Sequence, residues 1–301
     1  MTTVPSSTFF SAPPEWSWLI VFYFFFGGLA GGCYFLAALM DISGNPEERN
    51  LARLGYYIAF PCIVISGLLL TFDLYRPLRF WHMLVESNTF RPMFKPWSPM
   101  SLGSWALLIF GLFSFISFIG ALVEGNRLAW PAGHAIHGPG ILSRVIAVIG
   151  GIFGFYVAGY TGVLLAVTNR PIWSDTPLLG LLFVVSAASI SAALMILLAG
   201  KTAYNRPGLE SLHRMDVWVV TLELIVLIAL MISLGPVFRA WLSAWGLLLV
   251  LGVIVLGMLI PIALYARREW LGELNMTASA VLVLIGGFIL RLVIVFSAQR
   301  L

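Results

Sequence analysis

The chain has 301 residues, 60% of them hydrophobic and only 10% charged, with a formal net charge of +4. A water-soluble domain carries about 25% charged residues, so this composition excludes one and places the chain in a lipid bilayer. The small positive excess contains no run of lysines or arginines and gives nucleic acid no support as a partner. The two cysteines, Cys33 and Cys62, form no CxxC, so no iron–sulfur cluster or zinc of the chain's own is expected.

A hydrocarbon core of about 30 Å needs roughly 20 helical residues. Windows of that length predict eight spans, near 18–40, 55–75, 102–124, 143–167, 177–199, 216–234, 241–265 and 276–297. Uninterrupted apolar runs lack the alternation of a barrel, and helices satisfy their own backbone in lipid. The expected fold is therefore an all-α integral membrane protein, one transmembrane domain over 1–301. The opening MTTVPSSTFFSAPPEWSW has no basic n-region and no small-residue cleavage site, so span one should remain in the membrane. Eight spans put both termini on one side. The basic residues divide almost evenly between the two faces, but Arg76, Arg79, Arg91 and Lys95 share one long loop after span two, where a soluble partner would use them. Setting these aside places the termini outside. Trp16, Trp18, Trp81, Trp97, Trp130, Trp173, Trp241 and Trp270 mark span ends and read as an interfacial belt.

In chain order, GGLAGG (Gly27 to Gly32) gives span one a small-residue face for close helix packing. Span two ends in DLYRP, Asp73 to Pro77, followed by Leu78, Arg79 and Phe80. Pro77 stops the helix, and charges at a helix end simply meet water. The functional alternative makes Asp73 a proton-exchanging carboxylate and uses Asp73 and Arg76 to hold a loop over a pocket. Glu124, at the end of span three, reads with Asp41 and Asp216 as a solvated end on the opposite face, and Glu124 is also a proton-path candidate. HAIH, His134 to His137, has metal-like spacing but reads as a loop pair. With His82 and His213 also in loops or at span ends, no histidines face one another within the spans as a membrane haem requires.

GYTG in span four sets the phenol of Tyr160 between two glycines: packing explains the glycines, while the phenol is able to donate a hydrogen bond to a ligand carbonyl. Glu223, roughly 10 Å into span six from the face opposite the termini, is either a satisfied structural acid or part of a proton path. Pro61 and Pro261 are expected to kink spans two and seven. Arg291, inside span eight, costs at least about 2.5 kcal/mol to place there, so it should face the protein interior with a partner or else snorkel to the interface. Counting along the helices puts Asp73, Tyr160 and Arg291 about 18, 17 and 15 residues beyond the start of their spans, each roughly 22–27 Å from the opposite face at 1.5 Å per residue. Three helices far apart in sequence thus deliver an acid, a phenol and a guanidinium to one layer near the termini. A secondary transporter is disfavoured, because that class gathers its polar groups near the midplane.

Taken together, GGLAGG, DLYRPLRF, PMSLGSW (Pro99 to Trp105), GYTGVLL, RPIW with TPLLGLLFVVSA, and the closing GGFILR resemble the polysulfide reductase membrane-subunit family, often called NrfD or PsrC. The resemblance covers nearly the whole chain. It implies two four-helix bundles without haem in the bacterial cytoplasmic (inner) membrane. It also implies a quinone (menaquinone or ubiquinone) bound near the outer face, and electron exchange with a docked iron–sulfur subunit that serves a molybdopterin-type or other catalytic subunit. Tyr160 then contacts the quinone, Asp73 exchanges its proton, and Arg76 and Arg291 supply supporting charge. Some members carry Asn and His at the beginning of span one; in the comparable stretch here, WSWLIVFYFFF, Tyr23 is the expected substitute. The alternative is a membrane anchor or proton-path subunit without its own quinone site.

Overall fold

The structure, a computed structural model, describes residues 15–130, 140–199, 206–267 and 274–299. The HAIH histidines, Lys201, Arg268, Trp270 and Arg300 lie outside those residues. Among the described residues, eight helices are long and apolar enough to cross a membrane: α1 (Trp18–Ser43), α2 (Arg49–Asp73), α3 (Pro99–Glu124), α4 (Ile141–Ala166), α5 (Leu179–Ala199), α6 (Arg206–Ser233), α7 (Ala244–Ala266) and α8 (Leu274–Gln299). The chain is an all-α integral membrane protein. Local chemistry sets several ends. The Ser17 hydroxyl accepts the Leu19 N–H at 3.1 Å and caps α1, while Gly44 at φ 70° closes it. Pro99 follows the Ser98 cap of α3. Beyond Asp73, Pro77 opens a short 3₁₀ turn, Pro77–Met83, rather than continuing α2.

Two helices begin earlier than hydropathy predicts. The first turns of α2 (Arg49, Asn50, Arg53) and α6 (Glu210, Arg214) are polar, so an apolar window skips them. The start of α2 is instead held by ion pairs. Arg49 donates to both oxygens of Glu124 at 2.8 and 3.0 Å and also pairs with Asp41, whose other oxygen accepts from Tyr56 at 3.3 Å. Asp41 and Glu124 are therefore clamped rather than solvated ends. Asp216 differs from expectation too, being 1% exposed and ten residues into α6.

The hub of the fold is α1, and GGLAGG explains why. Its glycines face four different helices: Gly27 meets Ser66 of α2, Gly28 meets Arg291 of α8, Gly31 meets the backbone of Gly154 in α4, and Gly32 meets the backbone of Ala187 in α5. A Cβ at Gly31 or Gly32 would overlap those backbones, so a larger residue would push α4 or α5 away. Around this hub, α3 packs on α2 and α4, α5 packs on α4, α6 and α8, and α7 packs on α8.

Helix α2 runs through Pro61 without a break. In α7 the stretch Leu249–Leu259 is wound as a π-helix, and Pro261 follows directly. Proline removes the bond to the carbonyl four residues back and crowds it, and wider winding upstream relieves that crowding. Trp173 and Trp241 are not belt residues. Both are buried, and their indole N–H groups donate to α8, to the Ile294 carbonyl at 2.7 Å and the Ser297 hydroxyl at 3.0 Å. The indole needs an acceptor wherever it is buried, and α8 supplies one to each.

Candidate functional site

Near the termini, the start of α1, the end of α2, the 3₁₀ turn, the start of α3 and the end of α4 enclose a cavity of about 330 Å³. That falls at the lower end of ligand-pocket volumes, roughly 300–1,000 Å³. Its walls are largely hydrocarbon, including Ile20, Phe24, Leu70, Leu107 and Leu164, and its polar contributors are Tyr23, Asp73, Ser104 and Tyr160.

Each polar group is placed by its helix. Tyr160 stands one turn and a half before the end of α4, with its ring packed on Gly103 of α3 and stacked at 5.8 Å on Tyr156. Only a glycine at position 103 leaves room for that ring. Tyr23 reaches the same space from α1, and neither phenol hydroxyl has a hydrogen-bond partner among the described residues. Asp73 is the last residue of α2 and half-buried, and its Oδ1 accepts from the Ser17 hydroxyl at 2.5 Å, a charge-assisted bond. Two donors and one carboxylate thus face an apolar chamber, which suits a mainly apolar ligand with oxygen atoms at its edge. Among the described residues no group of three His, Cys, Asp or Glu side chains is placed to hold a metal ion.

The segment leading into α1 closes one side. The Trp16 N–H donates to Gln299 Oε1 at 3.0 Å, its carbonyl accepts from Gln299 Nε2 at 3.2 Å, and its ring packs on Phe24 and Trp173. Sequence reasoning takes Tyr23 from the WSWLIVFYFFF stretch and misses Trp16 and Ser17. A capping serine next to a helix-end carboxylate is the signal for Ser17.

The remaining candidates lie elsewhere. Arg76 is exposed and outside the cavity lining. Arg291 does not snorkel: it is 1% exposed, behind α1, donating to the Phe24 carbonyl at 3.2 Å, the Ser186 hydroxyl at 3.0 Å and the Gly287 carbonyl at 2.7 Å. The rings of Phe183 and Phe25 lie 5.5 and 5.9 Å from its Cζ, within cation–π range. Glu223 is buried in the same neighbourhood, near Ser186 and the Arg291 guanidinium. Because α6 starts at Arg206, Glu223 sits about 25 Å along it, deeper than expected. Glu124 belongs to the Arg49 cluster on the opposite face.

Among the described residues, eight helices long and apolar enough to cross a membrane define a polytopic membrane protein, and α1 to α4 wall a small ligand-sized chamber. The profile of the family "Polysulphide reductase, NrfD" matches residues 6–301, and the chain belongs to that family. It is 30% identical over 308 residues to the C subunit of polysulfide reductase from Wolinella succinogenes, covering 94% of each sequence. It is 27% identical over 313 residues to the NrfD homolog of Haemophilus influenzae, again covering 94% of each. With protein NrfD of Escherichia coli it shares 25% identity over 316 residues, covering 94% of this chain and 95% of that one.

Proposed function

We propose that the chain is the haem-free quinone-reactive membrane subunit of a multi-subunit oxidoreductase in the bacterial cytoplasmic membrane, with its termini and cavity on the outer side. The convergence of the Tyr23 and Tyr160 hydroxyls with the Asp73 carboxylate in one apolar chamber carries this reading. The similarity to the C subunit of a polysulfide reductase supports a place beside other, catalytic subunits.

A bound quinol supplies two electrons and two protons. Tyr23 and Tyr160 donate hydrogen bonds into the chamber and orient the ring, and the hydrocarbon walls keep water off it. Asp73 would take the two protons in succession at the carboxylate oxygen that Ser17 leaves free, and its half-buried position at the mouth would pass each to solvent before the next. In the reverse direction the same group would return both. Electrons pass to an iron–sulfur subunit docked over the loop that follows α2. That loop is held in shape where the Trp105 indole N–H and the Ser101 hydroxyl donate to the Met93 carbonyl at 3.0 and 3.3 Å. It exposes Tyr75, Leu78, Phe90 and Trp97 among Arg76, Arg79, Arg91 and Lys95, an apolar tip with basic surroundings suited to an acidic protein partner. Glu223, buried near Ser186 and Arg291, is the group we assign to a proton path from the other side; Glu124, clamped by Arg49, is its weaker candidate.

The test is quinol-driven electron transfer in the intact complex. Asp73→Asn is expected to lower it by on the order of 100-fold or more, as for loss of a proton-transferring group, and Tyr160→Phe to lower it less. Dye-driven electron transfer through the soluble subunits should be unchanged in both. Normal quinol-driven rates in both variants overturn the assignment in favour of an anchor without its own quinone site.

A further inference from the structure

A second, larger cavity of about 630 Å³ adjoins the first. It is a groove between α2 and α3 beneath the 3₁₀ turn, and Leu70, Leu74, Met83, Ser104 and Leu107 line both spaces. From the end of α2 it runs down to Phe60, about 20 Å at 1.5 Å per residue, which carries it from the membrane surface past the middle of a leaflet. Its outer wall is hydrocarbon, and Val64, Leu68, Leu108, Leu112 and Phe115 on that wall are exposed on the surface that lipid would touch. The polar side chains that line it are turned away. The Thr71 hydroxyl donates to the Gly67 carbonyl at 2.8 Å and the Ser104 hydroxyl to the Ser101 carbonyl at 2.9 Å.

Two glycines keep the groove open. A Cβ at Gly67 of α2 or Gly111 of α3 would meet nothing within 4 Å, whereas Gly31, Gly32 and Gly162 press on the backbone of a neighbouring helix. Close packing therefore explains those three and leaves Gly67 and Gly111 as lining of the groove, where no protein atom faces them. Helix α2 also meets α3 far less closely than it meets α1.

We propose that this groove is a lateral portal for an isoprenoid quinone: the ring passes sideways from the bilayer into the Tyr23–Asp73–Tyr160 chamber, and the tail remains between α2 and α3. The proposal rests on the quinone reading above. Its occupant is fixed by continuity, since a groove that opens to lipid on one side and into a phenol- and carboxylate-bearing chamber on the other fits a ligand with a polar ring and a long apolar tail. Moving that tail out of lipid gains little hydrophobic free energy, because acyl chains are as apolar as the wall. The groove instead supplies a passage without a polar barrier and a fixed depth for the ring.

The test places Gly67→Leu and Gly111→Leu, singly and together, in the intact complex in lipid vesicles, with Gly67→Ala and Gly111→Ala as graded, smaller fillings. The probes are a long-tailed menaquinol and menadiol, the same ring without the tail. The double leucine variant should raise the KM for the long-tailed quinol by about tenfold or more, with menadiol kinetics unchanged and the alanine variants between it and the parent. Unchanged kinetics with both quinols would show a groove filled by lipid alone and overturn the portal. Equal losses with both would place the effect on the ring chamber and overturn it too. No turnover of either quinol by the parent complex would instead overturn the quinone reading on which the portal stands.

Discussion

Gly103→Ala is the smallest change that tests the chamber. A methyl at this position would fall inside the van der Waals envelope of Tyr160 Cζ, Cε1 and Oη. The backbone of α3 is held by its own hydrogen bonds, so the ring is the part that gives way, and it must retreat by on the order of 1 Å. Stacking on Tyr156 blocks one direction, which leaves movement into the chamber. A 1 Å displacement of a positioning group costs on the order of 100-fold in rate, about 2.7 kcal/mol of transition-state stabilisation. Thermal stability should change little, because the displaced ring enters existing space. The assay measures quinol-driven electron transfer of the Gly103→Ala complex, and compares its Tm with that of Gly111→Ala, where the added methyl meets open space. Parent-like turnover in Gly103→Ala would refute the claim that the position of the Tyr160 ring governs the reaction.

Arg291→Met removes a guanidinium that donates three hydrogen bonds and leaves Glu223 buried without its positive neighbour. Leaving buried acceptors unpaired costs about 1–3 kcal/mol, so Tm in detergent should fall, and adding Glu223→Gln should restore the part owed to the nearby charge. Additive effects in that double variant would show that the two groups do not interact. Gly257→Val drives a branched side chain into Gly286 of α8, where a Cβ would already lie 2.6 Å from the facing Cα. Overpacking of this kind costs about 1–3 kcal/mol, measured as a lowered unfolding midpoint, and Gly67→Ala is the neutral comparison.

Much of this architecture is legible in the sequence, and the limits have physical causes. Span length and hydropathy locate the eight helices, but the beginnings of α2 and α6 escape, because polar turns look like loop; at α2 such a turn is held by the Arg49 ion pairs. Counting residues at a fixed rise brings Asp73 and Tyr160 to one height, and the structure places both on one cavity. Counting gives height and not rotation about the axis. Arg291 shows the difference: it bonds the carbonyl of Phe24, next to Tyr23 in α1, yet stands on the far side of that helix. The π winding of α7 leaves no periodic trace in a stretch with no polar residue. Adding nearly one residue per turn returns Gly252 and Gly257, five apart, to the face that meets α8, where ordinary α winding would separate them. Trp173 and Trp241 mislead because the belt rule reads a residue type and not the acceptor its N–H will find.

The Trp16–Gln299 clasp joins positions 283 residues apart and bears on how the protein is built. As the chain is made, α1 enters the membrane long before α8, with its Phe24 carbonyl and the Trp16 amide still without their final partners. Only the last helix brings Arg291 to the one and Gln299 to the other. The wall of the chamber formed by Trp16 is therefore completed at the end of biogenesis. A protein stalled or truncated before α8 would hold Tyr23, Asp73 and Tyr160 and still lack a closed site, so assembly itself delays a closed chamber until the whole bundle is in place.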